Sequence, residues 1–106
     1  MNPITASQLG IRTFDAANYL QSDEDCAHYL QACIDEAPDD AALFAKAVGD
    51  VARARGMMQL ARDTGITREG LYKALGEHGN PSFATVVKVM YALGLQFNVG
   101  ARSVSS

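Results

Sequence analysis

The chain has 106 residues, 48% of them hydrophobic and 20% charged, which suffices for one compact domain with an appendage and is too little for two full domains. That balance excludes a disordered polar chain and holds no apolar run long enough for a membrane span; the opening MNPITASQLG lacks the basic flank and apolar stretch of a secretory signal, so a cytoplasmic protein is expected. The net charge of −3 is unevenly divided, because residues 1–50 carry nine acidic side chains against Arg12 and Lys46, a net of −7, whereas residues 51–106 carry seven basic and three acidic ones, a net of +4.

The first twenty residues are weakly patterned, with Ile4, Leu9, Ile11, Phe14, Tyr19 and Leu20 scattered among polar residues, as in an arm that orders on a partner. Ser22 followed at the third position by Asp25 matches a capping box. The acidic run Asp23, Glu24, Asp25 suits the positive end of a helix dipole, which predicts a helix over about 23–36. Cys26, Tyr29, Leu30, Cys33, Ile34 and Ala37 keep helical spacing and give that helix one stripe to bury. Cys26 and Cys33 are the only cysteines. Outside any CxxC arrangement and with only His28 nearby, they read as small buried apolar residues in preference to a redox or metal pair.

Pro38 then breaks the pattern, and Asp39 or Asp40 caps the next helix, which buries Ala41, Phe44, Val48 and Val51 and reaches about Arg55. Gly56 ends it and admits the next within one residue. A short helix from Met57 to Thr64 follows, then a turn at Gly65, then a second short helix capped by Thr67 and running to about Leu75. GEHGNPS is a loop, and Ser82 caps a last helix from Phe83 to Leu93. Along it Phe83, Val86, Val87, Met90 and Leu93 keep helical spacing, and core packing is expected for most of them. Leu95, Phe97 and Val99 alternate with Gln96 and Asn98, a short strand signal, before a frayed tail ARSVSS.

The stretch MMQLARDTGITREGLYKAL, residues 57–75, carries the functional signal. Ala61 is small where two helices cross closely, Gly65 can take the positive φ of a tight turn, and Ile66 and Leu71 close the small core between the helices. Thr67 caps the second helix, and Leu60 and Leu75 complete the apolar set. This is helix-turn-helix spacing, and it falls in the basic half, which can neutralise phosphates, while the acidic half suits solvent or a basic protein partner. No acid–base pair, metal-spaced cluster or nucleophile motif appears, so an enzyme is not expected, nor is a metal or other cofactor.

At these positions the chain resembles the Xre or Cro type of helix-turn-helix family: Leu60 and Ala61, then Gly65, then Ile66, then a capped helix. RARGMMQLARDTGITREGLYKAL and GNPSFATVVKVMYALGL, with FDAANYL and DEDCAHYLQACIDEA upstream, resemble more closely the addiction module antidote proteins, a HigA-like branch of bacterial antitoxins, over nearly the whole chain. One departure is Met58, which stands where a polar cap would be comfortable and leaves Gly56 as the cap.

The resemblance implies an all-α, lambda-repressor-like bundle. Its parts are an acidic N-terminal helical extension over 1–38 as the toxin-binding segment, a helix-turn-helix domain over 39–99 with a short C-terminal strand, and a flexible tail over 100–106. It further implies an antitoxin that binds double-stranded operator DNA as a homodimer, represses its own operon and neutralises a RelE- or ParE-like toxin. The alternative is a stand-alone Xre-family regulator without a toxin. In such a domain the second short helix enters the major groove, which carries Arg68, Glu69 and Lys73 to base edges and assigns Gln59, Thr67, Tyr72, Asn80 and Ser82 to phosphates. Arg53, Arg55 and Arg62 either face the DNA backbone or decorate the surface. Phe14, Tyr19, Leu20, Tyr29 and Leu30 are the candidates for toxin contact. Leu95, Phe97 and Val99 are those for dimer contact, or else they finish the core of the monomer.

Overall fold

Short oxygen-bearing side chains set where the helices of this chain begin. In the computed structural model, which describes residues 19–102, Ser22 Oγ accepts from the Asp25 N–H at 3.0 Å and opens α1, Asp23–Glu36. Asp40 Oδ1 accepts from the Leu43 N–H at 2.9 Å and opens α2, Ala41–Arg55. Thr67 Oγ1 accepts from the Gly70 N–H at 3.0 Å at the head of α4, Arg68–Ala74, and Ser82 Oγ from the Thr85 N–H at 3.1 Å at the head of α5, Phe83–Ala92. Each of these bonds satisfies a donor that the helix itself leaves open, worth about 1 kcal/mol. The reciprocal half of the box at Ser22 falls one residue early, since the Asp25 carboxylate accepts from the Gln21 N–H at 3.1 Å.

The remaining helix, α3, Met57–Thr64, has no side-chain cap. Gly56 serves both as the end of α2 and as the start of α3, at φ +114 and ψ +107, a conformation open to glycine and to little else. Gly65, at φ +76, closes α3 in the left-handed region and turns the chain toward α4.

Helix α2 runs through the middle and touches α1, α3 and α5, while α3 touches α4 and α5. Val48, Val51 and Ala52 of α2 are wholly buried with Leu71 of α4 and Val89 of α5, and Leu20, Cys26 and Leu30 from the front of the chain join the same cluster. At seven residues α4 is too short to be stable alone. Burial of Leu71 and Leu75, about 1.5–3 kcal/mol each, is therefore what holds it.

Three expectations are corrected. Among the described residues there is no strand, so Leu95, Phe97 and Val99 do not form one: a strand needs a neighbour's backbone to bond, and every other element is helical. The Leu95 N–H instead bonds back to the Met90 carbonyl at 2.9 Å and closes α5. Phe83 and Val87, read as core, lie 73% and 39% exposed, because α5 is rotated so that Val89 and Met90 face inward. Ala41 is exposed as well, one turn or more before α2 enters the core. Ile4, Leu9, Ile11, Phe14 and the last four residues of the expected tail lie outside the described residues.

Gly49 is buried where α2 meets the end of α4, and a Cβ there would stand 2.5 Å from the Leu75 carbonyl oxygen. Helix propensity alone would make Gly49→Ala stabilising by roughly 1 kcal/mol. The backbone contact is expected to reverse the sign, with a net loss of about 1–3 kcal/mol in urea denaturation as for other overpacked sites. A stabilised variant would show that α2 and α4 do not approach this closely.

Candidate nucleic-acid interface

With Leu71 and Leu75 at 0% and 1% exposure, helical geometry turns Arg68, Glu69, Tyr72 and Lys73 of α4 outward, and all four are exposed. The Arg68 guanidinium lies over the Tyr72 ring, 5.8 Å from its centroid. Stacking holds the guanidinium plane while leaving its edge donors free for a planar acceptor. Neither Arg68 nor Lys73 is in an ion pair among the described residues. Glu69 sits in the first turn, where a carboxylate also complements the helix dipole.

The flanking candidates differ in how far they are already engaged. Gln59, exposed near the start of α3, donates through Nε2 to Asp63 at 2.9 Å and accepts from Arg62 at 3.1 Å. Thr67 and Ser82 spend an oxygen lone pair as caps, and the Ser82 and Thr85 hydroxyls also lie 3.1 Å apart. Asn80 is exposed in the loop that joins α4 to α5. Thr67, Arg68, Glu69 and Tyr72 thus line one shallow depression. Arg53 and Arg55 are ties within the fold: Arg53 pairs with Asp50 at 2.9 Å, and Arg55 with Asp23 at 3.3 Å.

The sequence reading missed a polar chain that runs from α1 to the end of α4. The Tyr29 hydroxyl donates to Asp50 Oδ2 at 2.8 Å, Asp50 Oδ1 accepts from Arg53 Nη2 at 2.9 Å, and Arg53 Nη1 donates to the Leu75 carbonyl at 3.4 Å. Burial, and next the bond to Asp50, push the Tyr29 hydroxyl well above the ordinary tyrosine range. Tyr29 and Asp50 stand far apart in the chain, and no local pattern announces the pair.

Of the other candidates for toxin contact, Leu20 and Leu30 are 1% and 3% exposed, so their side chains belong to the core and offer little surface. Tyr19 is half exposed and meets Tyr29 edge to face, with ring centroids 6.2 Å apart. Phe14 lies outside the described residues. Among the dimer candidates Leu95 is buried, Val99 is fully exposed, and Phe97 packs against Phe44 and Phe83 with ring centroids at 6.4 and 6.1 Å.

Cys26 and Cys33 are free, and burial, the largest cause at both, raises their thiols above the ordinary range and keeps them protonated. Among the described residues no group of His, Cys, Asp and Glu is placed to hold a metal ion, and no helix is long and apolar enough to cross a membrane.

These features define a small helical-bundle protein with an apolar core and a polar helix displayed on it. Residues 10–101 match the model of a family described as "Probable addiction module antidote protein", and the chain belongs to that family. A protein of Haemophilus influenzae (strain ATCC 51907 / DSM 11121 / KW20 / Rd), described only as uncharacterized, is 55% identical over 89 residues, which cover 84% of this chain and 90% of that protein. No solved structure shows a significant match. Family membership implies a non-enzymatic, regulatory antitoxin with a toxin as its partner.

The raised Tyr29 hydroxyl has a consequence for stability at high pH. Folding favours its neutral form, so the contribution of this bond is fully present below the unfolded tyrosine pKa of about 10 and is lost as pH rises beyond it. Tyr29→Phe is expected to cost about 1–2 kcal/mol at pH 7. It should also lose less stability than wild type between about pH 10 and 11. Urea titrations at both pH values check this; parallel losses in the two proteins would mean that the Tyr29–Asp50 bond does not form.

Proposed function

We propose that this chain is the DNA-binding antitoxin of a type II toxin–antitoxin module, acting in the cytoplasm without catalysis. Helix α4 serves as the recognition helix of a helix-turn-helix domain within residues 39–99, and two copies read one operator as a homodimer and repress the operon. The acidic segment over residues 1–38 takes part in holding a RelE- or ParE-like toxin.

The observation that carries the DNA reading is the way α4 is mounted. A seven-residue helix is pinned from below by Leu71 and Leu75, held at its far end by Arg53 and Gly49, and aimed by the turn at Gly65. Its exposed face is then left to Arg68, Glu69, Tyr72 and Lys73. Base-edge readout needs such a rigid mount, because the fork of an arginine must meet two acceptors of a guanine at once. The uncapped start of α3 supports the same reading. Gly56 has no side chain to occupy the first backbone donors of that helix, so they remain open to a phosphate, with Gln59 exposed beside them. The net of +4 on residues 51–106 supplies the matching field.

Arg68→Ala is expected to cost on the order of 1–3 kcal/mol on DNA from upstream of its own coding region and to relax preference at one base position per half-site. Asn80→Ala should weaken all sequences about equally, since phosphates carry no base identity. Competition across single-base variants of that DNA, with a melting curve for each protein, makes the comparison. Wild-type affinity and base preference in Arg68→Ala would remove α4 from the groove. Affinity of the intact chain should also fall steeply with salt, by about one released counterion per phosphate contact.

A further inference from the structure

Between α1, the first half of α2 and the segment that follows α5 lies a groove of about 310 Å³. Its floor is apolar, formed by Leu30, Phe44, Met90 and Leu95, and its walls are Ile34 from α1 and Phe97 from the end of the domain, 38% and 43% exposed. A second hollow, lined also by residues 37–41, shares Ile34, Phe44 and Phe97 with it. Acidic residues stand along the lips of both. Asp23 is paired with Arg55 and Asp40 caps α2, while Glu24 and Asp39 have no partner among the described residues.

We propose that this groove is the docking site for a basic protein chain, which inserts one or two apolar side chains beside Phe97 and sets lysines or arginines against Glu24 and Asp39. The identification of that chain as the toxin rests on the antitoxin reading above. Charge selects the occupant. Apolar walls alone would accept a second copy, but a two-fold contact pairs this face with itself and brings Glu24 and Asp39 against like charges, within a half of the chain that carries −7. Nucleic acid is repelled by the same lips. A basic chain gains apolar burial and opposite charge together, and the charged rim speeds its arrival while the apolar centre holds it. The location also bears on the burial of Leu20 and Leu30: Leu20 is committed to the core and Leu30 meets a partner only as part of the groove floor, whereas Ile34 and Phe97 remain open.

The test uses the full chain and the purified product of the reading frame adjacent to its own, with affinity measured by calorimetry and association rates by surface capture. Ile34→Gln and Phe97→Ser are each expected to weaken binding at least tenfold, and Phe97→Leu to restore most of the loss. The Glu24→Gln, Asp39→Asn pair should slow association several-fold and flatten its salt dependence. Ile34 lies on the surface of α1, so its variant keeps the test valid if Phe97→Ser melts early. Operator binding should be unchanged in Ile34→Gln, in which both α4 and the dimer candidates Leu95, Phe97 and Val99 are untouched. If the toxin binds wild type and every variant alike, the groove is not the site, while the antitoxin reading stands. If it fails to bind the wild-type chain, both fall. Variants that change the mass of the free chain in sedimentation and leave toxin affinity intact would assign the face to a second copy and overturn the proposal.

Discussion

At the end of α4 the backbone itself meets α2, where the Leu75 carbonyl lies against Gly49 with no room for a methyl group. The position of α4 follows from that approach. A glycine inside a helix costs roughly 1 kcal/mol in conformational freedom. In return α4 sinks far enough for Leu71 and Leu75 to reach the cluster around Val48 and Val51. Raised by the width of a side chain, α4 would lose that burial, and a helix of seven residues has nothing else to keep it folded.

The same junction is tied by polar groups at its margin. No polar or charged residue among those described is buried, so the core is apolar throughout and does not by itself define one relative placement of the helices. Directional bonds at the edge do so. Asp50 collects Tyr29 from α1, Arg53 from its own helix and Lys46 at 3.8 Å, and Arg53 passes the constraint to Leu75. Part burial of Tyr29 and Asp50 shields this chain of bonds from water, so it contributes more than an exposed surface pair would. It joins the acidic front helix to the helix that displays Arg68 and Lys73.

Two surfaces of opposite character result. The displayed face of α4 is polar with free cations, and the groove beside Phe97 is apolar with acidic lips. The two surfaces therefore favour partners of opposite charge. Helices α1 and α4 stay in register through α2, so both surfaces are carried on one core.

The ends of the helices were legible in the sequence because they are local events. A cap is a bond from one residue to another three positions on, and Ser22, Asp40, Thr67 and Ser82 make theirs wherever the rest of the chain goes. Gly56 and Gly65 likewise mark turns through their own backbone freedom, and the outward set on α4 is simply the complement of Leu71 and Leu75 at helical spacing. Tertiary structure alone decided which apolar residues are spent inside. Periodicity along α5 allowed Phe83 and Val87 to face the core, yet the helix is rotated to bury Val89, because the inward direction is defined by α2 and α3 and not by α5. Leu95, Phe97 and Val99 alternate as a strand would, but alternation becomes a strand only where another backbone offers its bonds, and helices offer none. The Tyr29–Asp50 pair and the groove between Ile34 and Phe97 were invisible for the same reason: each is made by residues that only the packing of α1 onto α2 and the end of α5 brings together.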